Sequence, residues 1–229
     1  MSISNKIKLI NYLVNSNCSD KKSIKEALKW EKVYLNNLDK RIPSNYYAIY
    51  DVLKMIPSNI NLYDNFLKKL ESKFELDCNI LEVGGGNLPR IAERIAKKQL
   101  DIGCGSITVI DSNLAINNTK YSNLKLCRNE FTLDTDISNF GLIIGLFPCE
   151  ATEVIVHKSL INNKSFFIRL CDCIHPFDDF SEEEYNFYLT HPQEYYKLIV
   201  NTYKYYTSKF NRKMETINEE TPIIYSKKK

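Results

Sequence analysis

The chain has no apolar run approaching the ~20 uninterrupted residues that a bilayer crossing needs. Its opening, MSISNKIKLINYL, has neither a long apolar core nor a small-residue cleavage site, so no secretory leader is expected and a cytoplasmic location is. Strong charge of one sign is absent too. Lys and Arg number 31 against 28 Asp and Glu, and a net +3 over 229 residues is too small to argue for a nucleic-acid partner. The basic residues are scattered, apart from a terminal KKK that reads as a solvated end. A disulfide framework is missing as well: seven cysteines, an odd number at irregular spacings, read as reduced thiols.

What remains is an ordinary globular composition. Hydrophobic residues make up 44% of the chain, enough for a real core, and the length fits one domain with an appended lobe. The abundance of Asn, Lys, Ile and Tyr suggests an AT-rich, bacterial genome, which concerns codon bias and not function.

Up to about Asp77 the periodic segments read as helices. Ile7, Ile10 and Val14 form one stripe, and Ile24, Leu28, Leu35, Leu38 and Ile42 form another that Pro43 ends. NYYAIYDVLKMI and NLYDNFLKKLESKF follow, so residues 1–77 are expected to form a helical lobe. At Cys78 the period changes. CNILEV, SITVID, NLKLCRN, FGLIIGLF and KSFFIRLC are short apolar runs, and helical segments separate several of them. Such alternation predicts an α/β fold, a doubly wound, mostly parallel sheet over residues 78–229. In the helix LPRIAERIAKKQL the expected buried face is Leu88, Ile91, Ala92, Ile95, Ala96 and Leu100. Beyond Ser181 a tyrosine-rich helical stretch reaches about Phe210, and KMETINE with TPIIYSK predicts a closing antiparallel hairpin.

Two glycine loops compete as a cofactor cradle: LEVGGGN at residues 81–87 and LDIGCGS at residues 100–106. A cradle needs a strand entering and a helix leaving, so that backbone N–H groups and the helix N-terminus converge on the ligand. The first loop meets that demand. The second is followed by the β-branched SITVID, so Gly103 and Gly105 read as a helix-ending turn. SITVID instead delivers Asp111, about 25 residues past the first loop, where a carboxylate can accept both ribose hydroxyls of an adenosine cofactor. An NAD site fits less well, because Pro89 stands where G-x-G-x-x-G needs its third glycine and no hydride-transfer site stands out.

LEVGGGN resembles motif I of class I (Rossmann-like) S-adenosylmethionine (SAM)-dependent methyltransferases. The resemblance covers about residues 78–229. It implies SAM as cofactor, with Glu82 beneath the loop orienting the methionine moiety and Gly84, Gly85, Gly86 and Asn87 forming the cradle. VIDSN resembles the second motif, with Asp111 on the ribose and Ser112 beside it. RNEF implies Glu130 and Phe131 near the adenine, and FGLIIGLFP resembles the fourth strand with its active-site loop. Two departures stand out: Leu88 where the family has a third glycine, and Gly141 where it has an acid. GGGNLP with IDSNLAIN also looks like nicotianamine-synthase-like enzymes, which transfer the aminocarboxypropyl arm of the same cofactor.

Catalytic candidates follow from the rule that ligands sit outside the carboxyl ends of the strands. Glu150 is read as a general base or a contact to a cationic substrate, or more plainly as an acid favoured at a helix N-terminus. Cys149 is a candidate because GLFPCE locally resembles the Pro-Cys motif of cytosine-C5 methyltransferases, whose cysteine attacks the base. No base-recognition domain or extended basic surface accompanies it. Cys149, Cys171, Cys173 and His175 could together hold zinc, but C-x-C is not the usual knuckle spacing, and buried thiols serving as small hydrophobes is the simpler reading. No metal is expected. The tyrosines of NYYAIY and EYYKLIVNTYKYY line an acceptor pocket or fill the core. His157 and His191 read as structural. The expected activity is SAM-dependent methyl transfer to a small-molecule acceptor; arm transfer and non-catalytic SAM binding are the alternatives.

Overall fold

The computed structural model of the protein describes residues 58–86, 89–114, 119–171 and 181–228. The helices expected before Ser58, the tyrosines of NYYAIY, and Asn87, Leu88, Cys173 and His175 lie outside the described residues. The first described element is helix α1 (Ser58–Glu71). It leads into strand β1 (Asn79–Val83), helix α2 (Arg90–Ile102), strand β2 (Ser106–Ile110) and strand β3 (Leu124–Cys127). Strand β4 (Leu142–Leu146), helix α3 (Ala151–Ile161) and strand β5 (Ser165–Arg169) come next. Helices α4 (Glu182–Thr190) and α5 (Pro192–Lys209) precede the hairpin β6 (Glu215–Ile217) and β7 (Ile223–Ser226).

The seven strands form one sheet in the order β3-β2-β1-β4-β5-β7-β6. β1 to β5 pair in parallel, and β7 closes antiparallel on β5. The fold is therefore the α/β, doubly wound sheet with a C-terminal antiparallel hairpin that the alternating pattern implies. From β1 the chain steps one way to β2 and later the other way, from β4 to β5. Because βαβ crossovers are right-handed, opposite steps put α2 and α3 on opposite faces.

Side chains two apart along each strand serve the same face, and both faces are buried. Ile80 of β1, Leu142 and Ile144 of β4 and Phe167 of β5 pack with Phe66 and Leu70 of α1 and with Ile91 and Ile95 of α2. Their neighbours Leu81, Ile143, Phe166 and Ile168 pack on the other side with Ile155 and Val156 of α3 and with Tyr195 and Ile199 of α5. Phe66 meets Phe167 edge to face at 5.2 Å between centroids, so α1 shares the sheet's core.

One expectation needs correction and another is refined. Leu100 is 46% exposed and does not belong to the buried face of α2. Nine residues at about 100° each set it opposite Ile91. Gln99 takes the inward position instead, and its side-chain amide donates to Leu76 O (2.8 Å) and Cys78 O (2.9 Å). The tyrosine-rich stretch is helical as expected, but a break at His191 divides it into two helices. Pro192 opens α5 because its fixed φ suits the first helical position, and His191 ends α4. α4 has its own start, a Ser181–Glu184 capping box, but buries none of its residues.

Candidate functional site

The strand order reverses between β1 and β4, and there the chain leaves a crevice at the carboxyl ends of the strands. An open cleft of about 1630 Å³ occupies it. Its first wall is the loop after β1. Gly84 and Gly86 have φ of +74° and +71°, the left-handed region where a side chain strains the backbone. A Cβ on Gly85 would stand 2.6 Å from the Val109 side chain of β2, so no larger residue fits there. Among the described residues a Cβ on Gly86 would meet nothing within 4 Å, which leaves that end of the loop open.

Asp111 does more than face this loop. Its Oδ2 accepts the Gly86 N–H at 2.7 Å, and its Oδ1 accepts the Asn113 N–H at 2.6 Å. Each carboxylate oxygen keeps a second lone pair for another donor. The acid after β2 thus ties the glycine loop into position, a role that spacing alone does not reveal.

Glu82 lies behind the loop, 3% exposed. Pro89 supplies no side-chain cap to α2, and the Ala92 N–H of its first turn donates to Glu82 Oε2 at 2.9 Å. β1 therefore caps α2 across the loop. Burial pushes the Glu82 carboxyl up to about 8, with the charges of Asp111 and Glu93 adding to the rise against the Ala92 N–H.

The facing wall is the turn after β4. Phe147 and Cys149, on either side of Pro148, have φ of 59° and 49°. A Cβ on Gly84 would come within 3.1 Å of Pro148 Cα, and one on Gly145 within 2.8 Å of Pro148 Cγ. Glycine at both positions lets the turn fold back over the loop after β1. Glu150 ends the turn at the N-cap of α3, exposed and without a side-chain capping bond. The Cys149 Sγ lies 3.2 Å from the Cys171 Sγ.

Glu82, Gly84, Gly85, Gly86, Asp111 and Ser112 border this cleft, as do Glu130, Phe131, Cys149 and Glu150. Sequence reasoning missed other parts of its lining. Arg169 closes β5 on the cleft wall, donating to Thr221 Oγ1 (2.7 Å) and pairing with Glu219 (2.9 Å). A basic residue ending the apolar run KSFFIR was the available signal. Tyr63 from α1 and Tyr185 from α4 reach the cleft with no local cue, whereas Tyr196 from α5 belongs to the stretch EYYKLIVNTYKYY, already a candidate for an acceptor pocket. Tyr195 and Tyr196 are buried in the core while Tyr205 is 65% exposed, so the late tyrosines do not act as one set.

His157 Nδ1 is hydrogen-bonded to Tyr206 OH, with the rings stacked between α3 and α5. Among the described residues no group of three or more His, Cys, Asp and Glu is arranged to hold a metal. No helix among them is long and apolar enough to cross a membrane.

Gly103 and Gly105 sit before β2, at the opposite, amino-terminal ends of the strands. Gly103 is the left-handed C-cap of α2, φ +77°, its N–H donating to Gln99 O and Leu100 O. A Cβ on Gly105 would clash with Gln99 Nε2 at 2.6 Å and with Cys78 O at 2.9 Å, beside the start of β1.

The sheet is a Rossmann-like α/β sheet, its five parallel strands closed by an antiparallel pair. No protein-family model and no curated protein matches the sequence. Among solved structures the chain is similar to an SAH-bound methyltransferase of Podospora anserina, at 12% identity and TM-score 0.46 over 100% of this chain and 97% of that one. It is similar also to the magnesium protoporphyrin IX methyltransferase of Synechocystis PCC 6803 with bound SAM, at 10% identity and TM-score 0.45 over 100% and 99%. A third is the 23S rRNA methyltransferase ErmE, at 12% identity and TM-score 0.41 over 72% and 68%. At such identities and TM-scores none of these likenesses bears on what this chain does.

Proposed function

We infer that the protein is a SAM-dependent transferase that moves the methyl group to a small-molecule acceptor. One observation carries this reading: the Gly86 N–H to Asp111 hydrogen bond joins a glycine loop and a ribose-type acid at the mouth of one cleft. The residues fit the cofactor. The loop is open at Gly86, Asp111 keeps lone pairs for two hydroxyl donors, and the cleft's volume exceeds what a nucleoside-sized ligand needs.

In this reading Gly84, Gly85, Gly86 and Asn87 cradle the amino-acid end, and Glu82 supports them from below. Asp111 and Ser112 take the ribose, while Glu130 and Phe131 flank the adenine. Bound SAM supplies an activated sulfonium methyl, so the chain's task is positioning in line and, where the acceptor needs it, taking up a proton. Glu150 is the base we assign, because its carboxylate is exposed on the cleft wall opposite the loop. Cys149 shapes the acceptor side beside it.

Calorimetric titration of the full chain with SAM tests the reading. Binding is expected for the wild type and strong weakening for Asp111→Ala and Gly84→Val. No binding to the wild type, or equal binding by both variants, overturns it. Product analysis with candidate acceptors then separates the transfers: S-adenosylhomocysteine marks methyl transfer, and methylthioadenosine marks transfer of the aminocarboxypropyl arm.

A further inference from the structure

Two thiols meet on the rim of the cleft. Cys149 follows β4 by three residues and Cys171 follows β5 by two, and these strands are parallel neighbours paired at Leu146 and Arg169. The Phe147 N–H donates to Arg169 O at 3.0 Å, which carries the ladder one step past the strand. The turn then brings the Cys149 Sγ to 3.2 Å from the Cys171 Sγ, about 1 Å beyond a disulfide bond length. Both cysteines are partly exposed, so a small oxidant reaches them. Cys78, before β1 at the opposite ends of the strands, is a poorer competitor. Burial and the neighbouring Asp77 push its thiol up and hold it protonated, and the thiolate is the reactive form.

The positive φ of Phe147 and Cys149 holds this contact in place. Strained non-glycine backbone persists only where its surroundings over-determine it, and it gathers at functional turns. Here the surroundings are Gly84 and Gly145, each cleared of a side chain so that Pro148 can lie between them.

We propose that Cys149 and Cys171 are a reversible redox modification site, joined as a disulfide when the cell supplies a peroxide. With hydrogen peroxide, one thiolate attacks a peroxide oxygen and the O–O bond breaks. A sulfenic acid forms, and the departing hydroxide takes the thiol's proton to become water. The second thiol then attacks the sulfenic sulfur, the S–O bond breaks and a second water leaves. Two thiols are oxidised and one peroxide is reduced to two waters. The bond pins the turn bearing Glu150 to the exit of β5 and leaves Asp111 and the glycine loop untouched. This site does not depend on which ligand the cleft holds.

The test uses the full chain, reduced, freed of reductant, treated with hydrogen peroxide and quenched with N-ethylmaleimide. Peptide mapping in the wild type and in Cys173→Ser reads the outcome. Both should yield a peptide pair joined through Cys149 and Cys171, lighter by about two mass units than the reduced peptides and separated by dithiothreitol. Cys149→Ser and Cys171→Ser, with folding checked by circular dichroism, should each lack it. Alkylation of both cysteines in the oxidised wild type overturns the proposal. So does a link from either of them to Cys173, or a link between two chains.

Discussion

The two glycine loops of this protein are nearly the same phrase at opposite ends of neighbouring strands in one sheet. LEVGGGN and LDIGCGS each carry an acid two residues before the first glycine. In the first, Glu82 is buried on a strand and caps the helix that follows, and the loop opens on the cleft. In the second, Asp101 is exposed on the last turn of α2, and the glycines end that helix. Positive φ occurs in both, so backbone conformation does not tell them apart. The element that follows does. A helix aims its unpaired N–H groups back at the loop it leaves, whereas a strand has none to aim.

Substitutions can break this comparison. The largest effect is expected for Gly84→Val, which combines a positive φ with a side chain driven into Pro148. SAM affinity should fall at least about 100-fold by calorimetry. Asp111→Ala removes both the proposed ribose contact and the tether on Gly86, and a loss of about 10- to 100-fold is expected in the same titration. Gly105→Ala should behave in the opposite manner. Its Cβ meets Gln99 and the Cys78 carbonyl, so urea denaturation should show a loss of about 1–3 kcal/mol with SAM affinity within about 2-fold of wild type. A Gly105 variant that folds normally but no longer binds SAM would return the second loop to contention.

The buried acid of the first loop makes stability depend on pH. Glu82 titrates near 4.5 when unfolded and near 8 when folded, so the folded state holds the extra proton between these values. Its contribution is intact below about pH 4.5 and is lost as pH rises through 8. Denaturation midpoints of the wild type should fall across that window, by at most about 1.4 kcal/mol per pH unit. Glu82→Gln should flatten the slope. The smallest effect belongs to Gly103→Ala. A left-handed C-cap loses about 0.5–1 kcal/mol, with no change in SAM binding.

Much of the fold was legible in the chain. Apolar runs such as NILEV and SITVI, broken by helical periods, identify a sheet buried on both faces, and the first loop with Asp111 stands out by its place between strand and helix. Leu100 was misjudged because Gln99 buries a polar amide that finds two carbonyls, and hydropathy carries no record of such partners. Arg169 was legible only as a charge closing an apolar strand. Tyr63, Tyr185 and Tyr196 were not legible as a group, since only the packing of three separate helices brings them to one cleft.

By itself the sequence determined the alternation of strands and helices from β1 to β5, which glycine loop lies between a strand and a helix, and the acid that follows the next strand. Those are local or single-period properties, set by side-chain polarity, glycine φ and the element that follows each turn. Tertiary structure alone decided that Asp111 binds the loop it faces, that Pro148 rests between Gly84 and Gly145, and that the thiols of Cys149 and Cys171 meet. Each depends on which strands lie side by side, and strand order is a long-range outcome of crossover handedness that no short stretch of residues encodes.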